Sequence, residues 1–216
     1  MKTQLYHIIS ICAITASFIP LLIVSLKKLW KDPAFLLIAV YWAISGVINM
    51  TDKIPGITTR QLDLVVMIYN MLDIPIVLGI IYYTSNSVSI RKFAKIAAPV
   101  LLFAQLINFF RLGWNYDAAK YVLAVGLLVV LVAVVWEISL YMQKLEHSKH
   151  EKAMIFIYVS WLFSYGTFII VYIFDYYVNA TNSSVDNLII YYISTFIAIV
   201  IASIGYLAKS SSRNFI

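Results

Sequence analysis

One carboxylic acid stands where acids are rarely tolerated. Asp73 lies in the middle of LDLVVMIYNMLDIPIVLGIIYYT, an apolar run over 62–84 that is long enough to cross a bilayer. Burying an ionised carboxylate in hydrocarbon is costly, so such a group is paired, protonated or wetted. No lysine or arginine lies at comparable depth in any apolar run of the chain. Asp73 is therefore expected to hold its proton unless water or a cation reaches it. A group of this kind suits proton coupling, or the gripping of a cationic or hydroxylated ligand.

Other polar residues recur at helical spacing within the apolar runs. Asn70 and Asp73 are three apart and share a face, and Pro75 just beyond them cannot donate to the carbonyl of Met71. Trp42, Ser45 and Asn49 follow the same periodicity in the second run, as do Gln105 and Asn108 in the fourth. The sixth run offers Trp161, Ser164 and Tyr165, and the seventh offers Ser194. Together with Asp73 these residues define an expected ligand-binding or proton-coupling centre. The competing expectation for the hydroxyl and amide side chains is that they only join helices, each contributing about 0.6 kcal/mol.

The elements that must hold these residues follow from composition. The 216 residues are 62% hydrophobic and only 12% charged, where a soluble domain is roughly a quarter charged. Seven apolar runs, 6–26, 34–51, 62–84, 93–110, 120–142, 152–175 and 187–208, occupy nearly the whole chain. Runs of this length are helices rather than barrel strands. The expected fold is all-α, a single seven-transmembrane-helix bundle over 1–216, with the lipid bilayer as its first partner. Pro20 is a kink candidate inside the first run.

Basic residues are unevenly shared between the two ends. Eleven (Lys27, Lys28, Lys31, Arg91, Lys92, Lys95, Lys144, Lys149, Lys152, Lys209 and Arg213) fall on one face, against five on the other. The positive-inside rule then puts the N-terminus outside and the C-terminus in the cytoplasm. A plasma or bacterial inner membrane is the expected location. This distribution also accounts for the net charge of +6 without nucleic acid. Asn179 and Asn182 fit glycosylation acceptors by pattern alone.

Two internal echoes suggest a parallel repeat of three helices on either side of a connecting fourth. W-x-x-S recurs at Trp42 and Trp161, and Leu64, Tyr82 and Ser87 correspond to Leu188, Tyr206 and Ser211. Repeat-built membrane proteins commonly bind ligands near mid-membrane at the repeat interface.

Catalytic machinery is not in evidence. No serine has an intramembrane histidine partner, there is no phosphate-binding loop, and the single Cys12 precludes an intramolecular disulfide. Glu146, His147, His150 and Glu151 form E-H-x-x-H-E in a charged junction without a further ligand set, so no metal or other cofactor is expected. Glu137, beside Trp136, is read as a structural carboxylate near a helix end.

With its seven helices, outer N-terminus, Asp73 on the third helix and the Trp161/Tyr165 pair on the sixth, the chain resembles microbial opsins in architecture. That resemblance implies a retinal Schiff base on the seventh helix, but 187–208 contains no lysine, so a conventional retinal pump is excluded. The 3+1+3 plan also resembles SWEET-type sugar transporters, although the sixth run lacks the proline that family carries. Three functions follow: a small-molecule or ion- or proton-coupled transporter or binding protein centred on Asp73; an opsin- or receptor-like sensor signalling to a membrane or cytoplasmic partner; or a structural subunit of a membrane complex.

The orientation is directly testable. In a Cys12-free background, a cysteine near Ser183 should react with an impermeant thiol reagent on intact cells, whereas one near Ser89 should be shielded. The reverse pattern overturns the topology.

Overall fold

The computed structural model describes residues 2–173 and 184–209. The whole segment 174–183 between the last two helices, with Asn179 and Asn182, and the residues Ser211 and Arg213 lie outside the described residues. Among the described residues there are eight α-helices and no strand: α1 (Lys2–Ala16), α2 (Ile19–Leu26), α3 (Pro33–Met50), α4 (Thr59–Thr84), α5 (Val88–Leu112), α6 (Tyr116–Met142), α7 (Lys149–Ile173) and α8 (Ser184–Ala208). With α1 and α2 taken as one interrupted span, seven helical spans are long and apolar enough to cross a membrane. The chain is a polytopic membrane protein. Large apolar side chains are exposed on every span, among them Ile8, Leu37, Ile76, Phe103, Val132, Ile170 and Ile204, as expected where the surrounding solvent is hydrocarbon.

The first span is not the single helix expected over 6–26. Pro20 has no N–H to give the carbonyl of Ala16, and the chain breaks at Ser17 and Phe18 before α2 restarts with the proline in its first turn. At the break the Ala13 carbonyl accepts from both the Ser17 amide and the Ser17 hydroxyl, at 3.1 and 3.0 Å. The break is seated against Gly46 of α3, where an added Cβ would come within 2.8 Å of Ser17 Cβ. Pro75 behaves differently, for α4 runs through it without interruption.

The fourth span also differs from the expected 93–110. Ser87 accepts from the amide of Ile90 and starts α5 at Val88, so Arg91 and Lys92 lie inside the helix rather than before it, with Lys95 about a turn further in. Long basic side chains tolerate such positions by reaching from the helix end towards water. The remaining starts follow ordinary capping chemistry. Thr58 and Gln61 form a capping box at α4, Asn115 accepts from the Ala118 amide at α6, and Ser148 and Glu151 bond reciprocally at α7. Glu151 thus caps a helix, and it also pairs with Lys144.

The spans pack as a ring in chain order, closed by α1 and α2 against α8. Because α4 also touches α6, α5 is left on the periphery; only 22% of its apolar window is buried, the smallest share of any span. Ring closure is strongest at the end where α2 terminates. Lys27 Nζ donates to the carbonyls of Leu207 and Lys209 at 2.7 and 2.6 Å, capping the C-terminus of α8. Lys209 in turn pairs with Asp32 at 2.7 Å and meets His150 Nδ1 at 2.8 Å. Tyr206, fully buried, donates to Phe35 O at 3.3 Å. His147 stacks on Tyr141 instead of joining His150.

α7 and α8 approach closely at Gly205. A Cβ on Gly205 would meet the backbone oxygen of Ala153 at 2.6 Å and Phe156 Cβ at 3.1 Å, whereas one on Gly79 would meet nothing within 4 Å. Gly205→Ala should therefore destabilise the detergent-solubilised protein by about 1–3 kcal/mol through overpacking. Gly79→Ala should be neutral or mildly stabilising, since alanine is the better helix former. Thermal unfolding of the two variants checks this contrast.

Candidate functional site

The third span delivers Asp73 to the interior rather than to lipid. The residue is 6% exposed, and both carboxyl oxygens are engaged by phenols from across the ring. Tyr41 of α3 donates to Oδ1 at 3.1 Å, and Tyr165 of α7 donates to Oδ2 at 2.7 Å. The two phenolic oxygens are themselves 3.1 Å apart. Asp73, Tyr41 and Tyr165 therefore form a closed triangle with three hydrogen-bonding edges. With Asp73 ionised, both phenolic protons point at its oxygens; with Asp73 protonated, the acid donates to one phenol and that phenol turns its own proton to the other, closing all three edges. The triangle can take up or release one proton by hydroxyl rotation alone.

This cluster forms the floor of a cavity of about 340 Å³. Its walls come from five helices, α1, α3, α4, α7 and α8, and it extends to Tyr6, Asp52 and Leu188 at the end of the bundle where α1 begins. Six tyrosines line it, Tyr6, Tyr41, Tyr69, Tyr165, Tyr191 and Tyr192, together with Trp42 and Phe168. At the rim Asp52 is compensated: Lys53 pairs with it at 2.7 Å, and Tyr6 donates to it at 3.3 Å.

Seven of the residues expected from the sequence come together here: Trp42, Ser45, Asn49, Asn70, Asp73, Ser164 and Tyr165 all line the cavity. Asn49 is partly committed, since its amide donates to Ser45 O at 2.9 Å. Trp42 brings a buried indole N–H that has no hydrogen-bond partner among the described residues.

Four expected residues lie elsewhere. Gln105 and Asn108 project from the peripheral α5 and both donate to Ala118 O, at 3.5 and 3.2 Å, where they join α5 to the first turn of α6. Trp161 is fully buried, edge-on to both Tyr41 and Tyr158 at centroid distances of 6.1 Å. It packs behind Tyr41 rather than lining the cavity. Ser194 is buried without a partner for its hydroxyl among the described residues, and its neighbour Thr195 faces the cavity instead.

Residue spacing alone did not single out Tyr41, Tyr69, Tyr191 and Tyr192. Tyr69 was accessible to such reasoning, being four residues before Asp73 and so on the same helical face. Tyr41 was not, because only the closure of the ring brings its hydroxyl to a carboxyl group on another helix.

A second cavity of similar volume lies at the opposite end, between Thr84, Glu137, Lys144, His150 and Tyr158. There the Thr84 and Tyr158 hydroxyls meet at 2.9 Å. Tyr158, Trp161 and Tyr165 follow one another along α7, so the Trp161 indole stands between the two cavities.

Comparison with protein-family models, curated proteins and solved structures found no match to this chain.

Proposed function

We propose that the chain is a small-molecule binding or transport protein, with proton coupling, whose site is the cavity ending on Asp73. The observation that carries this reading is the triangle of Asp73, Tyr41 and Tyr165 at the floor of a cavity large enough for a small molecule. A carboxyl group that only joined helices would not need a cavity above it. In this reading Asp73, Asn70, Asn49, Ser45, Trp42, Ser164 and Tyr165 contact the ligand or its water, and the triangle stores the coupled proton.

Orientation belongs to the same proposal. With the basic-rich end in the cytoplasm, the Asp73 cavity opens outward and the Glu137 cavity inward, in a plasma or bacterial inner membrane. The separation of the two by Trp161 supports alternating access, in which the ligand passes when the indole yields. The second and sixth runs, which the expected repeat relates through Trp42 and Trp161, also supply Tyr41 and Tyr165 to the triangle. That coincidence supports a site shared between two related halves.

A sensor is the second reading, favoured by one observation. The Asp73 cavity is closed beneath by the fully buried Trp161, and a pocket open at one end suits a receptor that passes a ligand signal to a partner at the other end.

Paired substitutions test the role of Asp73. Asp73→Asn preserves shape and can still bond both phenols, so its thermal unfolding in detergent should match the parent's. Asp73→Leu leaves two buried hydroxyls without their acceptor and should cost about 1–3 kcal/mol. Both variants should lose ligand-dependent thermal stabilisation in a screen of small amines, sugars and organic acids. Full stability of Asp73→Leu, or ligand stabilisation that survives in it, contradicts the reading.

A further inference from the structure

We propose that the Asp73 cavity takes an organic cation: a primary or quaternary ammonium carried on a small apolar body. This inference rests on the reading of the cavity as a ligand site and adds the chemical class of the ligand.

Among the described residues lining the cavity, the only groups that can carry charge at neutral pH are Asp73 at the floor and Asp52 at the rim; neither lysine nor arginine lines it. The two acids differ in one respect. Asp52 has Lys53 at 2.7 Å, while Asp73 is met by the neutral phenols of Tyr41, Tyr165 and Tyr69. A site with an acid and no base at its floor attracts cations and repels anions.

The walls point the same way. Tyrosine and tryptophan rings carry negative electrostatic potential on their faces and attract ammonium groups within about 6 Å, most strongly where water is excluded. Rings from five helices surround this cavity, the arrangement of an aromatic cage. The rim already shows the interaction within the protein, since Lys53 Nζ lies 4.6 Å from the centre of the Tyr6 ring.

Competing ligand classes fit less well. A calcium or magnesium ion needs about six or more oxygen ligands, and Asp73 offers one carboxyl group whose two oxygens already accept from phenols. A sugar would leave the acid at the floor without a counter-charge, and the Asn49 amide that could serve it is partly committed to Ser45 O. The volume of about 340 Å³ lies at the small end of ligand pockets, which matches an arylalkylamine or a compact quaternary amine rather than a larger solute.

The test uses the full chain in lipid nanodiscs, with Cys12→Ser and a reporter cysteine at Ser164→Cys. Ser164 lines the cavity and is only partly buried. Three thiol reagents of similar size are compared: neutral methyl methanethiosulfonate, its cationic trimethylammonium-ethyl analogue and its anionic sulfonatoethyl analogue. The neutral reagent should label the reporter. The cation-to-anion rate ratio, normalised to free cysteine, should be about tenfold or more, and should fall to near unity in Asp73→Asn. Benzyltrimethylammonium should slow labelling, while neutral 2-phenylethanol at equal concentration should not. Tyr69→Leu should weaken that protection by about tenfold while leaving the rate ratio intact, since it removes a ring and no charge.

A normalised ratio near unity in the parent, or equal protection by 2-phenylethanol, overturns the cationic class while the open cavity stands. Failure of the neutral reagent to label overturns the cavity reading itself, and this inference with it.

Discussion

A carboxyl group held in the middle of a membrane-crossing helix must be satisfied by the protein, because hydrocarbon offers it nothing. That requirement organises the interior of this bundle. Asp73 is reached by phenols from α3 and α7, and those helices can meet it only because the ring is closed around the same axis. Each phenol carries a large apolar ring that packs in the core and a hydroxyl that satisfies the acid. Tyrosine thus does what serine or asparagine could not do across this span: it bridges the width of the interior without placing more backbone polarity there.

The two ends of the bundle divide the remaining work. At one end Lys27, Asp32, His150 and Lys209 tie the first and last spans together, and Gly205 lets α7 and α8 approach closely. At the other end five helices line the tyrosine-rich cavity. α5 takes little part in either, which explains why its amide pair, Gln105 and Asn108, serves only to bind α5 to α6.

The helix count and the inward placement of Asp73 were legible in the sequence, because hydrophobic length and the cost of a buried acid are local properties. The break at Ser17 was only partly legible. Pro20 announced a disturbance, but whether a proline bends a helix or divides it depends on what packs beside it, here Gly46; Pro75 divides nothing. The start of α5 was not legible, because Arg91 and Lys92 suggest a loop, whereas the Ser87 cap decides the matter. Partners across the ring were the least legible. Trp42 and Tyr41 are adjacent, and only the rotation of α3 within the closed ring determines that the tyrosine reaches Asp73 while the tryptophan lines the wall above it.

The account depends most on the contact between Asp73 and Tyr165, and a double-mutant cycle measures it directly. Thermal or denaturant unfolding of the parent, Asp73→Leu, Tyr165→Phe and the double variant gives their interaction energy. Residues that share a buried hydrogen bond should be coupled by about 0.5–3 kcal/mol, with the double variant less destabilised than the sum of the singles. Additive effects, within about 0.3 kcal/mol, would mean that the two groups do not meet, and would contradict the triangle on which the site is built.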